Sequence, residues 1–339
     1  MNASDLLIKL TERKDLNLIE AKTLAGILFD EKTSSIITAS LLTALKIKGE
    51  TVEEILGFVE VLRDGMSKIK YDGLLIDTCG TGGDGKNTFN ISTATSLVVA
   101  GSGIKVAKHG NRSASSACGS ADVIEALGVN INLTSDSIIK CLDGANISFI
   151  FAPLFHPLMK KVAPVRKELK IRTIFNLIGP LLNPLSVKRQ IIGVANTDIA
   201  EKLSCVIQKL DYDRVLIIHS KDGMDEISIY DETTVYEINK GKIKKFLINP
   251  SEFNLKGKDR YEISCATSEV SKNKIAKVLQ GEKGDCRNIV LLNSAAALYV
   301  SGKYKSIKDG LKDAEISIDS GKSLEVLNNL IKLSNSINE

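Results

Sequence analysis

Between residues 74 and 126 the chain runs through one pattern twice. A short apolar run empties into a loop of Gly, Ser, Thr, Asn and Lys, and the loop passes into a helix-like segment. The runs are residues 74–76 and 104–107. Strand, polar loop and helix in that order build an anion pocket, because free backbone N–H groups at helix starts point at the ligand. The pattern commits the chain to an α/β fold and marks these loops as the active site.

The first loop, Gly80-Thr-Gly-Gly-Asp-Gly-Lys86-Asn87, fits two glycine motifs in part. Gly80, Gly82 and Gly85 satisfy G-x-G-x-x-G, but a dinucleotide site also wants an acid about 20 positions on. That region holds Lys105 and Lys108, with no acid until Asp122. Gly80 to Lys86 also satisfies most of a Walker A loop, yet Asn87 stands where the Mg²⁺-binding hydroxyl belongs. What survives is chemistry. Gly80, Gly82 and Gly83 let backbone approach a ligand closely, and Asp84 orients the loop or helps hold metal through water. Asn90, Ser92 and Thr93 open a predicted helix over Ile91–Gly101 and suit a phosphate, although simple N-capping by Ser or Thr, Thr95 and Ser96 included, is the competing role. Lys108 supplies a point charge and Arg112 a planar fork, with Gly110 as a flexible point. Ser113, Ser115, Ser116 and Ser120 add hydroxyls ahead of a helix over 122–127.

With 339 residues, 43% hydrophobic and 25% charged, the chain can bury a full core in one large or two unequal domains. Its net charge of +4 gives no reason to expect nucleic acid. Six scattered cysteines lack a C-x-x-C pair, and no apolar run approaches the ~20 residues of a membrane span. A cytoplasmic setting follows as the default.

Residues 1–66 read as a small all-helical domain. Apolar spacing predicts helices over 4–14 and 34–47; Asn17…Glu20 and Thr51…Glu54 are capping boxes, with Gly65 a stop. The texture changes over 67–72. Residues 67–339 then read as a larger α/β domain with a mostly parallel sheet flanked by helices. Strands are expected at 74–76, 104–107, Ile147–Phe151, 190–193, 215–219 and 288–292, and 227–246 reads as antiparallel strands decorating the domain.

Several motifs in one order carry a resemblance that none carries alone. They are Gly80-Thr-Gly-Gly-Asp84, Asn90-Ile-Ser-Thr93, Lys108-His-Gly-Asn-Arg-Ser-Ala-Ser-Ser116, Gly119-Ser-Ala-Asp122, Pro164-Val-Arg166, the Arg172–Leu181 stretch RTIFNLIGPL, and Asp225-Glu226. Together they span nearly the whole chain, which resembles the anthranilate phosphoribosyltransferases of tryptophan biosynthesis. The resemblance implies transfer of the phosphoribosyl group of phosphoribosyl pyrophosphate to the amine of anthranilate. It implies Mg²⁺ held by Ser92, Asp225 and Glu226, where a surface acidic turn would otherwise be the default. Thr88, Ile91, His109 and Ala114 join the donor set by the same route.

For the acceptor, the resemblance points to Arg166 for the carboxylate. Asn111 suits the amine, Gly80 offers a backbone contact, and His156 and Gly179 belong to the pocket. It further implies a homodimer through the helical domain, and a segment near 170–183 that returns to that domain. No residue stands out as a general base, since an aromatic amine is neutral near pH 7; His109 is the fallback acid/base. Alternatives are a pyrimidine nucleoside phosphorylase-like enzyme, which would lack the acidic metal pair, and a non-catalytic nucleic-acid-binding relative, which would have a broad basic surface.

Overall fold

The computed structural model describes residues 1–112 and 118–336. In chain order it opens with helices α1 (Ala3–Thr11), α2 (Leu18–Phe29), α3 (Ser35–Lys48) and α4 (Val52–Gly65). Then come β1 (Ile76–Gly80), α5 (Ile91–Gly101), β2 (Val106–Gly110), α6 (Ser120–Ala126), α7 (Ser135–Ala145) and β3 (Ile147–Phe151). Three helices follow: α8 (Ala152–Phe155), α9 (Met159–Leu169) and α10 (Ile174–Ile178). The chain continues through β4 (Arg189–Gly193), α11 (Thr197–Gln208), β5 (Arg214–Ser220), β6 (Thr233–Asn239) and β7 (Lys242–Ile248). It closes with α12 (Ser268–Leu279), α13 (Asp285–Val300), α14 (Ile307–Asp319) and α15 (Lys322–Asn335).

Two compact units result. The helical unit comprises Met1–Lys68 and Ala152–Ser186. Both expected capping boxes form: the Asn17 side chain accepts from Glu20 N and that of Thr51 from Glu54 N, while each glutamate returns a bond to its cap residue. Two orphan N–H groups are thus satisfied at each helix start. The returning segment begins well before the expected 170–183. α9 packs on α2 and α3, and α10 on α3 and α4, so the early part of the segment belongs to the bundle as much as the late part.

The α/β unit comprises Ile69–Phe151 and Val187–Glu339. Its seven strands lie in the order β3-β2-β1-β4-β5-β6-β7. The first five are parallel and the last two antiparallel. Helix α5 packs on β1, β2 and β3 and is itself covered by α12 to α15. Apart from Ser92, every residue from Ile91 to Ala100 is buried, which is why this helix carries no exposed polar stripe and its hydroxyls, Thr93, Thr95 and Ser96, are small.

Three strand expectations need correction. Residues 288–292 are the interior of α13, because a short, fully buried apolar run has no period that separates strand from helix. β1 and β2 start and end later than the apolar runs that announced them. Inside them Asp77-Thr78-Cys79 and Lys108-His109 are polar or reactive and read as loop. β6 and β7 extend the main sheet by pairing on β5 and do not decorate it separately, and 227–232 lies outside any strand.

Candidate active site

The chain moves from β1 to β2 and β3 on one side, then returns to place β4 on the other side of β1. At such a switch the loops leaving two adjacent strands diverge and open a crevice at their C-terminal ends. Here those ends are Gly80 and Gly193, which are register partners. The turn after β5 sits directly on them. A Cβ added to Gly80 would lie 2.9 Å from Asp225 Oδ2, and one added to Gly193 would overlap the Asp225 carbonyl oxygen. Two absent side chains therefore let the acidic turn seat on the sheet.

The glycine loop is tied to this turn. Asp84 accepts from Lys86 N at 3.1 Å with one oxygen and from Asp225 N at 3.4 Å with the other. Orienting the loop, one of the two roles expected of Asp84, is thus visible as geometry. Gly82, Gly83 and Gly85 have φ of 62°, 83° and 69°, a run of left-handed backbone that side chains resist.

A second opening lies beside the first. β1 and β2 pair only at Ile76 and Val106, whereas β1 stays paired with β4 through Gly80. Side chains bridge the fork. Lys108 is buried, and its Nζ donates to Thr78 O at 2.7 Å and Ser92 Oγ at 3.2 Å. The backbone N–H of His109 donates to Asp77 Oδ1 at 3.3 Å, and Gln190 Nε2 lies 3.4 Å from Asp77 Oδ2. Burial pulls the Lys108 pKa down, opposed by the charges of Asp77, Cys79 and Glu226.

Helix α5 begins at this fork. Asn90 caps it, accepting from Thr93 N at 3.2 Å and from the Thr93 hydroxyl. Thr93 and Ile91 are buried, so their side chains serve the cap and core. Ser92 has its backbone N–H on the Glu226 carboxylate. Burial, then the charge of Asp225, hold the Glu226 pKa well above the usual carboxylate range; Asp84 adds to this, and Lys108 opposes it. Three neighbouring acids opposed by Lys108 are an electrostatic environment that a divalent cation relieves. Among the described residues, no three His, Cys, Asp or Glu side chains group as a metal-binding set. Two carboxylates and a hydroxyl nevertheless fit Mg²⁺, which takes few protein ligands and completes its shell with phosphate and water.

The loop after β2 is described as far as Arg112. Ser113, Ala114, Ser115 and Ser116 lie outside the described residues. Gly110 is packed, not loose: an added Cβ would lie 2.8 Å from the Phe149 ring and would overlap the Ser120 hydroxyl. Arg112 is held by Asp122 at 2.8 Å and Glu125 at 2.5 Å, with its guanidinium over the Phe151 ring. Asn111 accepts from Arg112 N with its side chain and from Ala121 N with its carbonyl, and the Ser120 hydroxyl donates to that same carbonyl. Thr88 forms an isolated bridge with Ser264.

Arg166, His156 and Gly179 belong to the helical unit. Arg166 projects from α9, its pKa lowered by burial, with its guanidinium 5.2 Å from the centre of the Phe175 ring. An added Cβ at Gly179 would meet nothing within 4 Å. His156 is buried, and desolvation holds its pKa at about 4, against 6.5 in the unfolded chain. It is neutral in the fold and takes up a proton on unfolding whenever the pH lies between those values. Its contribution to stability is therefore complete above pH 6.5 and is lost as pH falls toward 4. Between pH 7 and pH 5 the unfolding free energy will drop by about 2 kcal/mol through this group. Urea titrations of wild type and His156→Gln at both pH values check it, since the variant will lose that part of the drop.

Sequence reasoning missed Gly193 and Asp77. Gly193 carried a signal, because a glycine closing an apolar strand often marks close approach of another backbone. Asp77 carried none, as an acid beside an apolar run reads as a loop residue.

Comparison with known proteins places both units. The helical bundle domain of a glycosyl transferase family matches residues 4–66, and the a/b domain of that family matches residues 72–324. An anthranilate phosphoribosyltransferase of Methanocorpusculum labreanum is 45% identical over 334 residues, 98% of each chain. The crystal structure of anthranilate phosphoribosyltransferase from Thermus thermophilus is similar with a TM-score of 0.90 at 34% identity, covering 98% of this chain and 99% of that one. The Saccharomyces cerevisiae enzyme, solved in complex with phosphoribosyl pyrophosphate and Mg, is similar with a TM-score of 0.91 at 28% identity, covering 99% and 98%.

Proposed function

The chain belongs to the anthranilate phosphoribosyltransferase family, and from that premise we propose how its own residues carry the reaction. The phosphoribosyl group of phosphoribosyl pyrophosphate passes to the amine of anthranilate, giving N-(5-phosphoribosyl)anthranilate and pyrophosphate. One observation carries the reading: the glycine loop, Lys108, Ser92 and the Asp225-Glu226 turn gather at the C-terminal ends of β1 and β4.

In this reading the backbone of Gly80, Gly82 and Gly83, with Asn90, Thr88 and Ser120, holds the donor's phosphates. Lys108 supplies the buried positive charge, and Arg112 leaves Asp122 and Glu125 for an anion. Ser92, Asp225 and Glu226 hold Mg²⁺, which when bound neutralises the departing pyrophosphate. Arg166, the only one of the acceptor candidates with a permanent charge, takes the anthranilate carboxylate. Asn111 takes the amine. That amine brings its own lone pair, so the protein's work is positioning and support of a cationic C1. His156 is neutral and serves as pocket wall.

Anthranilate fluorescence tests the reading. Purified protein with phosphoribosyl pyrophosphate and Mg²⁺ will quench it, and chelation will slow the loss at least about tenfold. No loss of signal, with phosphorolysis of pyrimidine nucleosides in its place, would move the chain to the nucleoside phosphorylases; salt-sensitive DNA retention without either activity would favour the binding relative.

Ile8, Ile19, Ile36 and Ile47 of the helical unit are 58%, 76%, 77% and 67% exposed, apolar surface that a homodimer through this unit would cover. Sedimentation will give twice the chain mass, and a monomer mass at micromolar concentration would remove the proposal. The six free cysteines fit the reducing cytoplasm.

A further inference from the structure

We propose that Asn293, on α13, is a positioning residue that fixes the Asp225-Glu226 turn and thereby the affinity of the site for its divalent ion. The inference rests on the reading of that turn as metal-holding and adds a residue that no motif or resemblance assigned.

Ile227 follows Glu226 directly and is fully buried, in a stretch without strand partners. Its peptide groups are answered by one side chain. Ile227 N donates to Asn293 Oδ1 at 3.0 Å, and Asn293 Nδ2 donates back to Ile227 O at 2.9 Å. The second amide hydrogen goes to Ile289 O, one turn back in α13, at 2.8 Å. All three bonds are buried, and Asn293 is 2% exposed.

Among neutral side chains only a carboxamide offers an acceptor and two donors in one plane. Here it stands in for the strand that the turn lacks, and the bond to Ile289 fixes which way the amide faces. α13 packs on β1, β4 and β5. The clamp therefore refers Glu226 to the same strands whose ends carry Gly80 and Gly193. Other ties of the turn lie on either side: Asp84 holds Asp225 N, Thr233 Oγ1 accepts from Ser228 N at 3.1 Å, and Asp222 accepts from the Ser228 hydroxyl at 2.7 Å. Asn293 is the side chain that meets both the N–H and the carbonyl of Ile227.

A buried asparagine could serve the fold alone, so the test separates folding from metal binding. Asn293→Asp keeps the shape and the acceptor but loses both donors. Asn293→Ser keeps a small donor and acceptor and is the second variant should the first fail to fold. At fixed phosphoribosyl pyrophosphate, Mg²⁺ is titrated and two midpoints are read: the rise in melting temperature and the rate of anthranilate consumption. Both midpoints will move at least about tenfold to higher Mg²⁺, while kcat at saturating Mg²⁺ stays within about threefold and the KM for anthranilate is unchanged. A folded variant with the wild-type midpoints overturns the clamp and leaves the metal reading intact. A wild-type protein whose melting temperature ignores Mg²⁺ overturns both.

Discussion

A Lys108→Met enzyme will fold and lose between about a hundred- and a thousandfold in kcat/KM for phosphoribosyl pyrophosphate, the range seen when one preorganised donor to a charged transition state is removed. The lysine is 1% exposed, and its Nζ reaches Thr78 O at 2.7 Å and Ser92 Oγ at 3.2 Å. Methionine replaces the stem at nearly equal volume and removes the charge. Two effects on stability then oppose each other. A costly buried cation disappears, but Thr78 O loses a donor and Glu226 loses the one cationic neighbour that opposes its raised pKa. Exchanging a buried charge for an apolar group of similar size is often close to neutral, while stranding its partner costs several kcal/mol. A change within about 2 kcal/mol is expected, because Glu226 can take a proton instead of remaining a stranded charge. Function has no such escape, since a protonated Glu226 is a poor metal ligand. Steady-state kinetics and urea unfolding on one preparation decide it: a folded variant within threefold of wild type would remove Lys108 from the donor site.

How far the residues announced this arrangement depends on which kind of contact made it. Helix starts are local, so Asn17 and Thr51 could be read as caps, and α5 runs over the predicted residues, although its cap proved to be Asn90. The two strand–loop–helix passages were legible because glycine and hydroxyl clusters after apolar runs have one common use. Lys108 was legible as a site residue but not as a strand residue, and Asp77 as neither, since polar side chains that bridge a fork interrupt the apolar pattern defining a strand. α13 was misread over 288–292 because burial on all sides erases helical period. Arg112 was legible as a charged fork, whereas its hold on Asp122 and Glu125 depends on how α6 packs after the loop. Asn293 sits 67 positions beyond Glu226 in a run of small apolar residues. Only the fold brings the two together, and no local rule could have paired them.

The same dependence makes Gly193 the severest test of the site as a built object. Gly193→Ala adds one carbon, yet that carbon would overlap the carbonyl oxygen of Asp225, with the Asp225 carbonyl carbon 2.7 Å away. Backbone cannot rotate aside as a side chain can, so either β4 or the turn must move. β4 is pinned there: Gly193 O accepts from Thr81 N at 2.8 Å, Val194 N donates to Ile218 O at 3.0 Å, and Gly193 is in register with both Gly80 and Ile218. The turn lies outside any strand and will give way, carrying Asp225 and Glu226 with it. Overpacking of this kind costs about 1–3 kcal/mol of stability, and misplacing a catalytic group by about 1 Å costs on the order of a hundredfold in rate. Gly26→Ala in α2 is the control, because its added Cβ meets nothing within 4 Å and will raise stability by about 0.5–1 kcal/mol with activity intact. Differential scanning calorimetry and the fluorescence assay on both variants read the outcome. If Gly193→Ala kept more than about a third of wild-type activity and the same Mg²⁺ midpoint, the acidic turn would not be seated on the sheet end as described, and Asn293 would have nothing to hold in place.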